Sequence, residues 1–297
     1  MNADRHPAAG LALGTLGVVI FGGTLPATRL AVAALHPVFV TAGRAAVAGV
    51  LASVVLVALR RPVPDRDRWP PLLAGTLFLV CGFPLLSSLA LRTAEASHGG
   101  VVLAILPLAT AAAATLVAGE RPSPRFWAFA LAGTGLVLAF VVTQSRGSWV
   151  AADGLFLLAA ASAALGYALS GTLSRSMPGW EVICWQLVVA LPVTAAVALA
   201  WRPPAGARVP LSAWAGLGYV SLFSMFLGFF AWNAGLALGG VARVGQVQLL
   251  QVFVTLGLSA LVLGERIAPS TVAFAGLVVM VVAWGRRAQV ASPGRRR

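Results

Sequence analysis

The chain has 297 residues, of which 59% are apolar and 10% charged, with a mean hydropathy of +0.91. A soluble globular chain carries roughly 25% charged and about 45–50% apolar residues, so this composition belongs to a chain solvated by lipid. The net charge is +13, lysine is absent, and the arginines sit in short clusters between long apolar runs, which argues for loop charges and against a nucleic-acid-binding face. Cys81 and Cys184 lie inside apolar runs and His6, His36 and His98 are scattered, so neither a disulfide framework nor a metal or cofactor site is expected.

The first apolar run, Leu11 to Leu35, is too long for the apolar region of a signal peptide and contains Arg29, so it predicts a retained helix. The second, Val38 to Leu59, follows a tight turn at His36-Pro37 and carries Arg44. A guanidinium within a span costs at least ~2.5 kcal/mol and usually faces a cavity or a partner. Arg29 lies six residues before the end of its run and Arg44 six residues into the next. At a helical rise of 1.5 Å per residue both sit about 9 Å below the same membrane edge. Both are candidate substrate-binding residues; the alternative is that they snorkel or bond helix carbonyls. On the second helix Arg44 shares a face with Thr41, Ala45, Ala48 and Ala52, a small-residue stripe expected to face the bundle, while Val40, Val47, Leu51 and Val54 form the opposite face. Pro71 to Leu91, Gly99 to Ala118 and Phe126 to Thr143 complete a first set of five, a unit spanning residues 11–143.

The second set, 155–284, begins with Leu155 to Ser174, which contains Tyr167, and Val182 to Ala200, which contains Trp185 and Gln186. Ala213 to Leu238 carries Trp232-Asn233. In Val244 to Leu263, Gln248, Gln251, Thr255 and Ser259 recur on one helical face, a pattern that fits either cavity lining or an interhelical hydrogen-bond seam. Ile267 to Trp284 is the tenth run, followed by a basic tail, 285–297. Gln186, Gln248, Gln251, Thr255, Trp232, Asn233 and Tyr167 join Arg29 and Arg44 as candidate substrate contacts. Glu120 and Glu265, at the ends of runs four and nine, are expected to pair with arginine or cap a helix N-terminus, and are the candidates for gating or coupling. Asp65, Asp67 and Asp153 read as solvated loop residues. No acidic residue or histidine falls inside a run, which predicts facilitated diffusion or exchange without a midplane proton carrier. An intramembrane enzyme fits poorly, because no in-span base and no Gly-x-Ser-x-Gly elbow exists.

With the N-terminus inside, one side of the membrane collects Arg5, Arg60, Arg61, Arg66, Arg68, Arg121, Arg125, Arg175, Arg243, Arg286, Arg287, Arg295, Arg296 and Arg297, against Arg92, Arg146, Arg202, Arg208 and Arg266 on the other. This asymmetry predicts two cytoplasmic termini. The two halves also match each other. A shift of 145 places Gly119-Glu120-Arg121 on Gly264-Glu265-Arg266, Gly100 on Gly245 and Thr110 on Thr255; a shift of 144 places Gly22 and Thr28 on Gly166 and Thr172. Five spans per repeat would send the second half through the bilayer upside down, the arrangement secondary transporters use around a midplane site.

The two Gly-Glu-Arg elements, the stretch Phe21-Gly22 to Arg29 and the segment Phe39 to Arg44 resemble the EamA-type branch of the drug/metabolite transporter superfamily, over about Leu11 to Arg287. The resemblance implies an all-α integral membrane fold of ten transmembrane helices in two inverted five-helix repeats. It implies a carrier that exports or exchanges a small polar or amphipathic metabolite across the cytoplasmic membrane by alternating access. Phe21 stands where the family often has Trp, and the nearest polar counterpart of Arg44 is the uncharged Gln186. Expected partners are a small-molecule solute and membrane lipid, with a homodimer as the protein assembly considered and no nucleic acid; a noncatalytic membrane subunit or a lipid carrier is the alternative.

The arginine asymmetry yields a direct test of topology. With Cys81 and Cys184 replaced by Ser, an Asp65→Cys variant should resist a membrane-impermeant maleimide in sealed cells and react after permeabilisation. Efficient labelling of sealed cells would reverse the orientation.

Overall fold

The computed structural model describes residues 7–119, 123–144, 151–239 and 247–289, and their regular structure is entirely helical. The first apolar run is two helices, α1 (Pro7–Gly22) and α2 (Thr24–Val32), interrupted at Gly23. α3 (Pro37–Ala58) starts where Pro37 presets the first turn and the backbone N–H of Val38 donates to His36 Nδ1 at 3.3 Å. The third run is α4 (Trp69–Gly75), a π-wound segment Thr76–Gly82 and α5 (Phe83–Ala90). The fourth is α6 (Ala96–Leu103) and α7 (Leu106–Ala118), bent by 45° just before Pro107, whose missing N–H cannot continue the ladder. α8 (Pro124–Gln144), α9 (Ala151–Leu173) and α10 (Gly179–Ala200) follow. The eighth run is α11 (Leu211–Tyr219), a second π-wound segment Val220–Leu227 and α12 (Gly228–Gly239). A short 3-10 turn, Gln248–Leu250, leads into α13 (Gln251–Leu263), and α14 (Pro269–Gln289) ends the described chain.

Among the described residues, six helical stretches are long and apolar enough to cross a membrane, and the bent α6–α7 pair makes a seventh. α8, α13 and α14 contain shorter apolar segments, Trp127–Phe140, Gln251–Leu263 and Pro269–Trp284. Features of one half recur in the other at the offset of the sequence repeat. The π-wound segments start at Thr76 and Val220, and Gly119 and Gly264 end α7 and α13 with φ of +64° and +68°, a left-handed closure that glycine adopts without penalty.

α3 packs along α10, α1 along α12, α8 along α14, and α9 against both α7 and the third run. The alanine stripe of α3 faces the bundle as expected: Ala45, Ala48 and Ala52 are fully buried against Ile183, Cys184 and Leu187 of α10, while Val47 and Val54 face outward. Val40 departs from the expectation, being fully buried in the core cluster shared with Leu35, Leu217 and Val220. The α1–α12 crossing depends on glycine. A Cβ at Gly235 would lie 2.6 Å from the backbone nitrogen of Gly14 and 2.9 Å from the carbonyl oxygen of Gly10.

α6, α9 and α10 each begin about three residues or more before their apolar runs do and take in His98, Asp153 and Glu181, which corrects the expectation that no acidic residue or histidine lies inside a helical span. Asp153 is in the first turn of α9 and only 2% exposed, not solvated, and its Oδ1 is 2.7 Å from Nε2 of His98 on α6. Glu181 is in the first turn of α10, buried, with Oε1 2.8 Å from Arg61 Nε in a charge contact that is not an aligned hydrogen bond. The Arg61 guanidinium also lies 5.2 Å over the Trp180 ring. A carboxylate near a helix N-terminus meets the positive end of the macrodipole, and its partner removes most of the burial cost, so hydropathy sets the edge of the span too late.

Gly235→Ala should lower the thermal unfolding midpoint in detergent, with a cost of about 1–3 kcal/mol for overpacking onto backbone. Gly171→Ala, where an added Cβ meets nothing within 4 Å, should be neutral or raise it. Equal midpoints for the two variants would remove the close crossing.

Candidate functional site

Where the first run breaks, helix carbonyls are left without their usual donors, and the second half of the chain supplies replacements. The Tyr219 hydroxyl donates to the carbonyl of Ile20 at 2.9 Å, and the Thr255 hydroxyl donates to the carbonyl of Gly22 at 2.9 Å. Gly22 and Gly23 leave room for these neighbours, since a Cβ would collide with Val254 at the first and with the Tyr219 ring at the second. The break turns Phe21, Thr24 and Leu25 toward a cavity; the bend between α6 and α7 turns Leu103, Ala104 and Pro107 toward the same space. The cavity has about 910 Å³ of space free of protein atoms, counting its open mouth. α3, the third run, α9, the eighth run and α13 close the remaining walls with Arg44, Leu79, Phe83, Tyr167, Ser224, Met225, Phe229, Gln251 and Thr255 among others.

Among the described residues Arg44 is the charged one of this lining, and it is only 2% exposed. Its Nη2 donates to Ser224 Oγ at 3.1 Å, and Ser224 Oγ lies 2.8 Å from Thr24 Oγ1, so the first, second and eighth runs meet at one polar chain. Met225 Sδ is 4.0 Å from Nη2. Nε and Nη1 have no hydrogen-bond partner. Around this charge the walls are largely apolar, with the rings of Phe21 and Phe229 edge to face at 5.1 Å between centroids. An aqueous ligand entering here would meet one fixed cation, a few hydroxyl and amide groups and a wide apolar surface.

Of the candidate contacts, the structure brings Arg44, Tyr167, Gln251 and Thr255 together on the lining. Arg29 is elsewhere: its Nη1 donates to the Leu91 carbonyl at the end of α5, the carbonyl-bonding alternative stated above. Gln186 is fully buried between α10 and α9, with Nε2 donating to Ser170 Oγ at 3.0 Å and its backbone carbonyl accepting from Thr76 Oγ1 at 3.3 Å. Trp232 abuts Gly17 of α1, and the Asn233 amide abuts Gly179 at the start of α10; neither lines the cavity. The side chain of Gln248 and the whole of Glu120 lie outside the described residues. Glu265 accepts from the backbone N–H groups of Ala96 at 2.8 Å and Ser97 at 2.9 Å, capping α6. Thr24, Ser224, Phe83 and Phe229 were not singled out from the sequence. For Thr24 the signal available was a hydroxyl residue beside glycine within an apolar run, which marks a helix break that needs donors.

The pattern of the EamA-like transporter family matches residues 8–142 and again residues 150–284. An "Uncharacterized transporter YdeK" of Bacillus subtilis (strain 168) is 44% identical over 274 residues, covering 92% of this chain and 96% of that protein. A solved structure described as "Crystal structure of protein" superposes with a TM-score of 0.61 at 22% identity, covering 94% of this chain and 96% of that one, a likeness of fold.

Thr255→Val leaves the Gly22 carbonyl unpaired, and Tyr219→Phe leaves the Ile20 carbonyl with only the Gly23 N–H at 3.2 Å. Each should lower stability in detergent by about 1–3 kcal/mol, read as a drop in the thermal midpoint. Unchanged midpoints in both variants would mean that other donors close the break.

Proposed function

Since the chain belongs to the EamA-like transporter family, and is thus a multi-pass membrane transporter and not an enzyme, we propose that it exports or exchanges a small polar or amphipathic metabolite across the cytoplasmic membrane by alternating access, with the Arg44 cavity as the solute site. The observation that carries this reading is the position of the cavity: its walls come from both matched repeats and include the third and eighth runs, which are π-wound in corresponding places. Irregular backbone at membrane depth is tolerated where it lines a cavity, and two related repeats meeting at such a site provide two related states. In this reading the ten helices form two inverted five-helix repeats and both termini are cytoplasmic.

Three charged contacts support a rocking of one repeat on the other. Glu265 with the N-terminus of α6, His98 with Asp153, and Arg61 with Glu181 each join a residue of the first repeat to one of the second. In the reading proposed, the first two lie at the outer face and the third at the inner face, so opening either side breaks a different set. Glu265 then acts as a gate residue. Among the described residues the cavity lining holds no Asp, Glu or His, which supports exchange or facilitated diffusion.

Proteoliposomes loaded with a cytosolic small-molecule extract test the reading. A subset of solutes should leave faster than from protein-free vesicles, with release stimulated by extract on the opposite side; identical retention in the two preparations would defeat the carrier function. A pH gradient of either sign, at fixed membrane potential, should leave the end point unchanged. Uphill accumulation lost in His98→Ala or Glu265→Gln would show proton coupling instead.

A further inference from the structure

The Arg44 guanidinium is a permanent charge without a counter-charge. It is 2% exposed, it is bonded to one neutral hydroxyl, and two of its three nitrogens have no partner. A buried cation left in this state costs several kcal/mol, unlike one that is paired and fully hydrogen-bonded. The described acidic residues cannot supply the missing charge from where they are. Asp153 is held by His98, Glu181 by Arg61, Glu265 by the α6 N-terminus and Asp65 by Arg68 at 3.2 Å, while Asp67 and Glu95 are exposed and outside the cavity lining.

We propose that the missing counter-charge is the solute's own: the cavity takes an organic monoanion, a carboxylate with an aromatic or branched aliphatic body, whose carboxylate accepts from Arg44 and whose body lies against Phe21, Phe83 and Phe229. This rests on the cavity being the solute site of a carrier. The charge count sets the class. One guanidinium neutralises one anionic charge, and the other in-span arginine, Arg29, is engaged by the Leu91 carbonyl outside the lining. A dianion would therefore keep an unpaired charge in an apolar enclosure. A zwitterion or a cation would need a carboxylate for its ammonium, and the described lining has none. Leu79, Leu103 and Met225 extend the apolar wall, and Gln251 offers a single amide for one further polar group on the solute.

A set of probes matched in shape and differing in charge isolates the claim: phenylacetate, phenylacetamide, phenethylamine and phenylalanine, with 3-methylbutanoate as the aliphatic acid. Binding to the purified intact protein in detergent is read by titration calorimetry, without any flux. A hydrogen bond to a charged group contributes about 1.5–3 kcal/mol, so phenylacetamide should bind about tenfold to a hundredfold more weakly than phenylacetate. Phenethylamine and phenylalanine should be weaker still. Arg44→Gln should erase the acid-over-amide preference, and Arg44→Lys should retain part of it, since the ammonium keeps charge without the planar fork. If Arg44→Gln does not fold, the wild-type probe series decides alone. Binding of the amine or the zwitterion as tight as that of phenylacetate, an undiminished acid preference in Arg44→Gln, or no binding of either acid would overturn the proposal. Acid binding that survives while the vesicles show no release would strike at the carrier function and leave the anion site standing. Release of cationic solutes that is indifferent to Arg44 would do the reverse.

Discussion

A guanidinium cannot shed its proton inside a bundle solvated by lipid, so its surroundings must either stabilise the charge or wait for something that does. Arg44 is placed in the second turn of α3, on the small-residue face that packs along α10, and this fixes its direction toward the interior. The Ser224 hydroxyl then holds one nitrogen, and the Thr24 hydroxyl from a third run is bonded to Ser224 in turn. Both come from irregular helix: Thr24 follows the break at Gly23, and Ser224 sits in a π-wound segment. The same breaks that expose backbone also create the room in which a solute can stand beside the charge.

Irregular helix in a membrane has to be compensated, and here the compensation is exchanged between the two repeats. Tyr219 and Thr255, from the second repeat, satisfy carbonyls of the first; Ser162, also from the second, donates to the Phe78 carbonyl in the first π-wound segment at 2.8 Å. The charged contacts at the helix ends cross the same boundary. Each of these bonds joins one repeat to the other, so a relative movement of the repeats changes which groups are satisfied. That is the physical condition for two discrete arrangements in place of continuous deformation.

Much of the fold was legible because hydropathy, the small-residue stripe and the duplicated Gly-Glu-Arg element depend on local chemistry. Gly119 and Gly264, the first residues of those tripeptides, end their helices in left-handed closures. The ends of α9 and α10 were not legible, since Asp153 and Glu181 read as loop charges until His98 and Arg61 are seen beside them. The site was legible at Arg44, where one charge in an apolar run is hard to overlook. Arg29 had the same signature at the same expected depth, and its bond to the Leu91 carbonyl depends on where α5 ends, which periodicity does not reveal. Gln186 and Asn233 were drawn in by polarity alone, yet they serve helix contacts. Phe83 and Phe229 went unnoticed because an apolar wall and an apolar core have the same sequence.

The central claim is that a solute's carboxylate completes the coordination of Arg44. The most direct measurement is the dipolar coupling between carboxylate carbon-13 of bound phenylacetate and guanidinium nitrogen-15 of labelled arginine, by solid-state magnetic resonance on protein in lipid bilayers. With N···O contacts of about 2.8 Å, the carbon should lie about 3.6 Å from the nearest guanidinium nitrogen, and the coupling should vanish in Arg44→Gln. A saturated sample with no coupling at that distance, or one whose coupling persists in Arg44→Gln, would contradict it.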